Sequence, residues 1–138
     1  MLNPEFLKNG PGPRLAFLEK ADSHLIAEAL VSFANTEGGT LVVGLKESGD
    51  PIGKFETESL AKALKEADAL TNPLVVTGSW EPVELETTPV YALRVPRSIE
   101  LHALVDGRVL IRGDKTNRQL GGQEIFKPAS AKSTGDYE

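Results

Sequence analysis

The sequence predicts an α+β fold in which a mixed, largely antiparallel sheet packs against two main helices. Three features indicate it: two segments with apolar residues at helical spacing, several short β-branched runs, and an Asp-Gly pair between two apolar runs. The predicted order is β-α-β-β-α-β-β-β-β, which is typical of an α/β or α+β domain. A chain of 138 residues is long enough to form one such domain with its own core.

The first three elements come from residues 15–45. Residues 15–18 form a short apolar run, which predicts a strand. In residues 23–34 apolar side chains recur every three or four positions, as in a helix with one buried stripe, and Asp22 or Ser23 can cap it. Residues 40–45 contain almost no polar alternation and therefore predict a strand buried on both faces.

The middle of the chain predicts a turn and a second helix. The turn covers residues 47–51, and Ile52 begins a short partner strand. Residues 57–70 predict a helix with its own apolar stripe and with Thr57 as its cap. Because the residue before a proline avoids the helical region, Pro73 ends this helix.

Later segments predict strands and a hairpin. Residues 74–79, 83–86 and 89–95 are strand candidates, and alternation places Tyr91, Leu93 and Val95 on one face of the last of them. Asp106-Gly107 lies between the apolar runs 101–105 and 108–112, which is a strong hairpin signal. A short helix is expected at residues 123–127.

The domain boundaries follow from composition. Residues 1–14 are rich in Pro, Gly and Asn and predict a flexible N-terminal arm, residues 15–127 form the domain, and residues 128–138 form a flexible tail. The N-terminal sequence lacks the pattern of a signal peptide, and no apolar run is long enough to cross a bilayer. We therefore expect a cytoplasmic protein without a membrane partner. The absence of cysteine excludes disulfides and thiolate metal sites.

Charge is distributed unevenly along the chain. The net charge is −5, which argues against broad, charge-driven binding of nucleic acid. Residues 90–120, however, contain six basic and three acidic side chains, a net +3 that leaves −8 for the remainder. Such a segment indicates either a row of phosphate contacts or a solvated sheet face, and charge alone leaves both open. The candidate nucleic-acid contacts are Arg94, Arg97, Arg108, Arg112, Lys115 and Arg118.

Two adjacent glycines, Gly38 and Gly39, lie between the first helix and the following strand. A phosphate-binding loop requires the opposite order, strand and then helix, so that the positive helix N-terminus faces the phosphate. The pair is therefore interpreted as a helix stop and a tight turn. The run Gly49 to Lys54 lacks the spacing and the Ser or Thr of a P-loop. His24 and His102 have no metal-ligand spacing, so no cofactor or metal is expected.

Three stretches together resemble the Schlafen AlbA-like domain family. "ALVSFANTEGGTLVVGLKESGDPIG" at residues 29–53 is similar to its central motif, "HALVDGRVLIRGDKTNRQLGGQEI" to its closing segment, and "GPRLAFLEK" to its opening strand. The resemblance covers roughly residues 13–126. The residues that carry the central motif are Asn35, Thr36, Gly38, Gly39 and Gly44. Asn35 and Thr36 are expected to tie off the last helical carbonyls or the turn.

The resemblance implies a nucleic-acid role. The family is described as putative DNA-binding domains, often attached to a helix-turn-helix region in regulators, and also carries a divergent ATPase label. Animal Schlafen proteins use two such lobes to cleave RNA with acidic metal ligands. Here Ala16 and Lys46 stand at the positions that resemble those of the acids, while Glu19 and Glu47 are out of register. These replacements favour a non-catalytic domain, and the resemblance implies that it binds DNA or RNA in transcription regulation. We expect it to stand alone, since few residues follow Phe126, and to form a homodimer, because one small domain offers few phosphate contacts and two copies double them.

Two alternatives to this interpretation stay open. The net charge of −5 and the acidic strand around residues 81–86 favour a protein-interaction or oligomerisation module with a protein partner and without nucleic acid. A degenerate metal-dependent ribonuclease would require a carboxylate cluster brought together by the fold.

Overall fold

A four-stranded mixed sheet forms the centre of the protein in the computed structural model, which describes residues 3–52, 55–85 and 89–120. In chain order the elements are β1 (Leu15–Leu18), α1 (Ser23–Ala34), β2 (Gly39–Val43), α2 (Thr57–Asp68), β3 (Thr71–Asn72), β4 (Glu81–Val83), β5 (Val90–Val95), β6 (Ala103–Leu104), β7 (Leu110–Arg112) and β8 (Asn117–Gln119). The predicted helix at 123–127 and tail at 128–138 lie outside the described residues.

The sheet has the strand order β1-β2-β5-β4. Strands β1 and β2 are parallel, whereas β2–β5 and β5–β4 are antiparallel. Two short antiparallel ladders, β3–β6 and β7–β8, complete the strand pairing of the described residues. Two helices beside mixed, largely antiparallel sheets confirm the predicted α+β fold.

Each face of the central sheet is covered. Both helices pack on one face, where Ile26, Leu30 and Phe33 of α1 are fully buried. Leu93 and Val95 belong to the same cluster, as the alternation in β5 predicts. The opposite face, called here the outer face, buries a smaller cluster that includes Val42 and Ala92.

The helix predictions hold closely. Helix α1 begins and ends at the predicted residues, although residues 29–34 are buried on every side of it and not along one stripe. Asp22 Oδ1 caps the helix by accepting hydrogen bonds from the backbone N–H groups of His24 and Leu25. Helix α2 begins at Thr57, but the prediction that Thr57 is the cap is wrong. Its N-cap is Glu56, which makes no side-chain capping hydrogen bond.

Two predicted strands are not formed among the described residues, although both segments make isolated contacts with a neighbouring strand or its end. Residues 74–79 have no strand structure, and the backbone N–H of Gly78 makes a single long hydrogen bond to the carbonyl of Arg94, 3.4 Å away. Strand β4 already occupies that edge of β5. Ile52 also forms no strand: its N–H donates to the carbonyl of Gly44 beside one isolated bridge between Leu45 and Pro51.

The Asp106-Gly107 hairpin is only partly formed. The turn is present, since the N–H of Leu104 donates to the carbonyl of Arg108 over 2.8 Å. The two flanking runs then separate: β6 pairs with β3, and β7 pairs with β8. The local Asp-Gly signal therefore predicted the turn correctly but the strand partners wrongly.

The N-terminal segment is packed on the domain. A 3-10 helix covers Pro4–Leu7, within the segment predicted to be a flexible arm. Leu7 packs against the outer-face cluster, and Gly12 forms a bridge with Leu15. In the part of the chain that the structure describes, no helix is long and apolar enough to cross a membrane.

Candidate nucleic-acid interface

The turn between α1 and β2 is built around two glycines that tolerate close backbone contacts. The N–H of Gly38 donates to the carbonyl of Phe33 over 2.8 Å, and Gly38 has φ +76°. A Cβ on Gly38 would lie 2.8 Å from the backbone N of Arg97 and from the carbonyl O of Val95. The pair thus ends the helix, as the helix-then-strand order predicts.

The same two glycines bring two arginines close together. A Cβ on Gly39 would lie 2.8 Å from the carbonyl O of Arg14, so the backbones of Arg14 and Arg97 both contact the glycine pair. Arg94, on β5, lies opposite Thr40 of β2. These residues line one open groove of about 600 Å³, called here the glycine-turn groove. Its lining residues are Arg14, Glu37, Gly38, Gly39, Thr40, Gly78, Arg94, Val95, Pro96 and Arg97.

The arginine side chains of the glycine-turn groove are largely available to bind a ligand. The guanidinium groups of Arg14 and Arg97 have no hydrogen bond or ion pair among residues 3–52, 55–85 and 89–120. Arg94 approaches Glu81 at 3.6 Å, but 65% of its side chain is exposed. An exposed ion pair of this kind is weak, so Arg94 can exchange it for a phosphate.

A second groove continues from the first along the outer face. It has a volume of about 540 Å³ and shares Arg14, Glu37 and Thr40 with the glycine-turn groove. We call it the N-terminal groove, because Phe6, Gly12, Pro13 and Leu15 line the rest of it. Phe6 is 38% exposed. The combined surface has cationic side chains at one end and an aromatic ring at the other.

Arg112 is buried and hydrogen-bonded within the protein, which argues against its prediction as a phosphate contact. Only 7% of the residue is exposed. Its Nε donates to the carbonyl of Gly12 over 3.1 Å, its Nη2 to the carbonyl of Leu15 over 2.8 Å, and its Nη1 to Asn117 Oδ1 over 3.0 Å. The guanidinium carbon lies 5.2 Å from the ring centroid of Phe33. Burial lowers the pKa of Arg112, and the charge of Asp114 partly opposes this.

Arg108 is engaged within the protein as well. Its Nε donates to Asp106 Oδ2 over 2.9 Å, and its Nη1 donates to Glu28 Oε2 over 3.2 Å. Hydrogen bonds from the backbone N–H and the side chain of Arg108 hold the pKa of Asp106 below its ordinary value. Two carboxylates therefore already neutralise the charge of Arg108, which weakens its case as a phosphate contact.

Lys115 and Arg118 lie apart from the glycine-turn groove. Both are exposed, and Arg118 lies on β8 opposite Ile111. Lys115 lines a different cavity of about 280 Å³, together with Ala16 and three glutamates. Of the six predicted contacts, Arg94 and Arg97 line the glycine-turn groove, whereas Arg112 and Lys115 line this other cavity.

The carboxylates Glu19, Glu28 and Glu47 line that second cavity, called here the carboxylate cavity. Of the two positions related to metal ligands in the resemblance, Ala16 lines this cavity with a methyl group, and Lys46 is exposed and is not among its lining residues. Among the residues that the structure describes, no three acidic or histidine side chains come close enough together to hold a metal ion.

The polar residues of the central motif connect distant parts of the chain. Thr36 Oγ1 donates to the carbonyl of Ser32 over 2.7 Å, at the end of α1. Asn35 is buried. Its Nδ2 donates to the carbonyls of His102 and Leu110, both over 2.9 Å, and its Oδ1 accepts from the N–H of His102. Gly44 follows β2 and lies against the ring of Phe55.

His102 lies in a loop, but it is buried. It is 2% exposed, with Nδ1 lying 2.7 Å from the carbonyl O of Pro73 and Nε2 lying 2.8 Å from Ser98 Oγ. A carbonyl only accepts, so Nδ1 donates to Pro73, and Nε2 shares a hydrogen bond with the Ser98 hydroxyl. His24 is exposed.

The sequence prediction missed Arg14 and Phe6. Both fall in the segment predicted to be a flexible arm, for which no binding role was predicted. A signal was nevertheless present, because Arg14 directly precedes β1. Once β1 pairs with β2, Leu15 lies beside Thr40, and Arg14 must therefore lie beside Gly39.

The fold and its grooves define a small α+β domain with a basic groove at a glycine turn. The family model described as "Schlafen, AlbA_2" matches residues 14–121. Since this match covers most of the chain, the protein belongs to the Schlafen AlbA_2 family, which confirms the resemblance found in the sequence.

One solved structure with a similar fold is the DIP2311 protein from Corynebacterium diphtheriae. It has a TM-score of 0.65 and 17% sequence identity over 88% of this chain. This chain spans 24% of that protein, and at such low identity the likeness shows the fold alone. No curated protein matches the chain.

Proposed function

We infer that this protein binds nucleic acid without cleaving it, with the glycine-turn groove as its phosphate-binding site. One observation carries this inference: three arginines converge on the Gly38-Gly39 turn, and two of them have no internal partner among the described residues. Arginine is well suited to phosphate because its planar guanidinium offers donors in a fixed fork. Membership of the Schlafen AlbA_2 family supports the same role, and DNA-binding in transcription regulation remains the biological setting that we propose.

The net charge of −5 sets the expected strength of binding. A protein with acidic surroundings repels phosphates outside its basic groove, so affinity should be modest and strongly dependent on salt. Lys115 and Arg118 stay proposed as flanking contacts, because both are exposed. A homodimer would double the number of basic grooves on one assembly and thereby raise the affinity for a long ligand.

Charge reversal in the groove tests the proposal. Fluorescence anisotropy should show binding of labelled DNA or RNA to the wild type at low salt and weaker binding at moderate salt. Arg97→Glu should weaken this binding at least tenfold, because it replaces an attractive charge by a repulsive one. The matched control is Lys62→Glu on α2, which changes the charge equally at an exposed position outside the groove and should have a much smaller effect. Equal losses in both variants, or no binding by the wild type at low salt, would contradict the proposal.

A protein-interaction module is the second candidate. Leu74, Val76 and Ile99 are exposed large apolar side chains. Leu74 and Val76 line a cavity of about 170 Å³ together with Ser98 and Glu100, the two neighbours of Ile99. Clustered exposed apolar residues favour a protein contact, either with a second copy or with another partner. Sedimentation of the wild type and of Val76→Ser tests self-association, which the substitution should weaken.

A further inference from the structure

The glycine-turn groove and the N-terminal groove together offer more than a phosphate site. Arg14, Glu37 and Thr40 line both of them, so the two grooves form one continuous surface on the protein. Arg94 and Arg97 lie at one end, and Phe6 lies at the other. The surface therefore combines cationic groups with an aromatic ring, which is the combination that binds the backbone and the bases of an unpaired strand. The inference below rests on the proposed function and specifies its ligand.

Phe6 is held in place although it is partly exposed. It lies in the 3-10 helix Pro4–Leu7, whose first turn is closed by Asn3 Oδ1 accepting from the N–H of Glu5 over 2.9 Å. The next residue, Leu7, packs against the outer-face cluster and anchors the helix. An aromatic ring at a fixed position loses little conformational entropy when a nucleobase stacks on it.

Glu37 is the feature that phosphate binding leaves unexplained. Glu37 lines both grooves, is exposed, and has no side-chain hydrogen bond or ion pair within the described ranges. A carboxylate repels phosphate, so it opposes the arginines if the ligand offers only its backbone. An ionised carboxylate accepts hydrogen bonds through both oxygens, however, and can therefore bind two donors that lie side by side.

Among the common bases, guanine matches such a carboxylate best. Its Watson–Crick edge has two adjacent donors, N1–H and the N2 amino group, whereas the corresponding edges of adenine, cytosine and uracil place an acceptor next to each donor. In a duplex this edge is paired and is not accessible to the protein. A base recognised by Glu37 must therefore be unpaired, as in most sequence-specific recognition of RNA.

We propose that the two grooves together bind a short single-stranded segment of RNA or DNA containing guanine. The guanine lies at Phe6 and Glu37, and the adjoining phosphates lie at Arg14, Arg94 and Arg97. Stacking on Phe6 supplies affinity for any base, whereas the two hydrogen bonds to Glu37 supply the preference for guanine. The acidic character of the rest of the protein also fits a ligand with few phosphates better than a long duplex.

Oligonucleotides that differ in one base test this assignment. The probes are labelled strands of about six nucleotides, near the lower limit of a single-strand site, with guanine, inosine, adenine or cytosine at the centre. RNA and DNA versions are compared, and a duplex of the same length is included. Guanine should bind about tenfold more tightly than inosine, because inosine lacks the N2 donor to a charged acceptor. The version, RNA or DNA, that binds more tightly identifies the source of the strand.

Two variants separate the contributions of base and stacking. Glu37→Gln should reduce the guanine-to-inosine ratio to near one, because the amide replaces one acceptor by a donor. Phe6→Leu should weaken single-strand binding about tenfold for all bases alike, since stacking is independent of base identity. Glu47→Gln is the matched control, because it removes an equal charge in the carboxylate cavity and should leave the guanine preference unchanged.

The outcomes distinguish this inference from the proposed function. A guanine preference that depends on Glu37 supports the inference. Equal affinity for every base, or tighter binding of the duplex than of the single strand, would overturn the inference. The proposed function would still stand if Arg97→Glu weakened the binding observed in that case. Absence of binding to every probe at low salt would overturn both.

Discussion

The arginines at the glycine turn and those of the closing segment carry the same charge in opposite surroundings. Arg14 and Arg97 border an open groove without internal partners among the described residues. Arg112 is buried and donates to two backbone carbonyls and one side chain, and Arg108 is held by two carboxylates. A basic residue can therefore bind a ligand only where its hydrogen-bond donors are not already used within the protein. The predictions below test this difference.

The largest expected effect is on stability, at Arg112. Replacing Arg112 by Met removes three part-buried hydrogen bonds, to the carbonyls of Gly12 and Leu15 and to Asn117 Oδ1. The free energy of unfolding should fall by about 3–5 kcal/mol, as when one partner of a buried polar network is removed. Urea denaturation measures the change. Arg97→Met is the control and should alter the free energy of unfolding by less than about 0.5 kcal/mol. Similar losses of stability in both variants would contradict the difference proposed between the buried and the exposed arginines.

The second effect concerns the turn that brings Arg14 and Arg97 together. Gly38→Ala should reduce the free energy of unfolding by about 3 kcal/mol, because it combines a left-handed φ with crowding against two backbone atoms. Gly49 has φ +95° and open space where its Cβ would be, so Gly49→Ala measures the left-handed backbone alone and should cost about 1 kcal/mol. Thermal or urea unfolding of both variants checks the difference, and equal losses would show that the close approach is unimportant.

The third effect concerns binding and compares one arginine from each region. Arg14→Gln should reduce the slope of log affinity against log salt by about one, which corresponds to the loss of one phosphate contact. Arg108→Gln should leave the slope unchanged, because carboxylates already neutralise that charge. Titrations at several salt concentrations give both slopes. A reduced slope for Arg108→Gln alone would reverse the assignment of the two regions.

The smallest effect is the pH dependence of the Asp106–Arg108 pair. The lowered pKa of Asp106 means that its ionised form stabilises the folded state. This contribution is present above the ordinary value of 3.8 and is lost as the pH falls through the lower folded value. Asp106→Asn should therefore have a slightly lower Tm than the wild type at neutral pH, and the two Tm values should converge in acid. A Tm difference that grows on acidification would contradict the assignment.

Local patterns predicted much of the fold. Helix α1 has the predicted bounds, because an apolar stripe and a glycine pair define a helix and its end within a short stretch of chain. The alternation in β5 likewise assigns Leu93 and Val95 to the helix face. The pairing of strands was harder to predict from local patterns. The runs on both sides of Asp106-Gly107 satisfy the hairpin pattern equally well, yet they pair with β3 and β8, which no local signal could select.

The candidate site depended more strongly on distant contacts. Arg112 fits the pattern of an exposed row on a strand face, but its hydrogen-bond acceptors Gly12 and Leu15 are 100 and 97 residues away in the chain. Asn35 was expected to act on its own helix, and its side chain holds the backbone of residues 102 and 110. Such roles depend on which segments meet, and charge or motif alone does not contain that information.

The family, the two helices and the role of the glycine pair as a helix stop follow from the sequence alone, because these features depend on residues close together in the chain. Which arginines are available to bind a ligand depends on the tertiary structure. Pairing of β1 with β2 and of β2 with β5 brings Arg14 and Arg94 to the glycine turn, and the approach of the chain after β5 adds Arg97. The physical reason is that hydrogen bonds and ion pairs satisfy a buried guanidinium, whereas an open groove leaves its donors for a ligand.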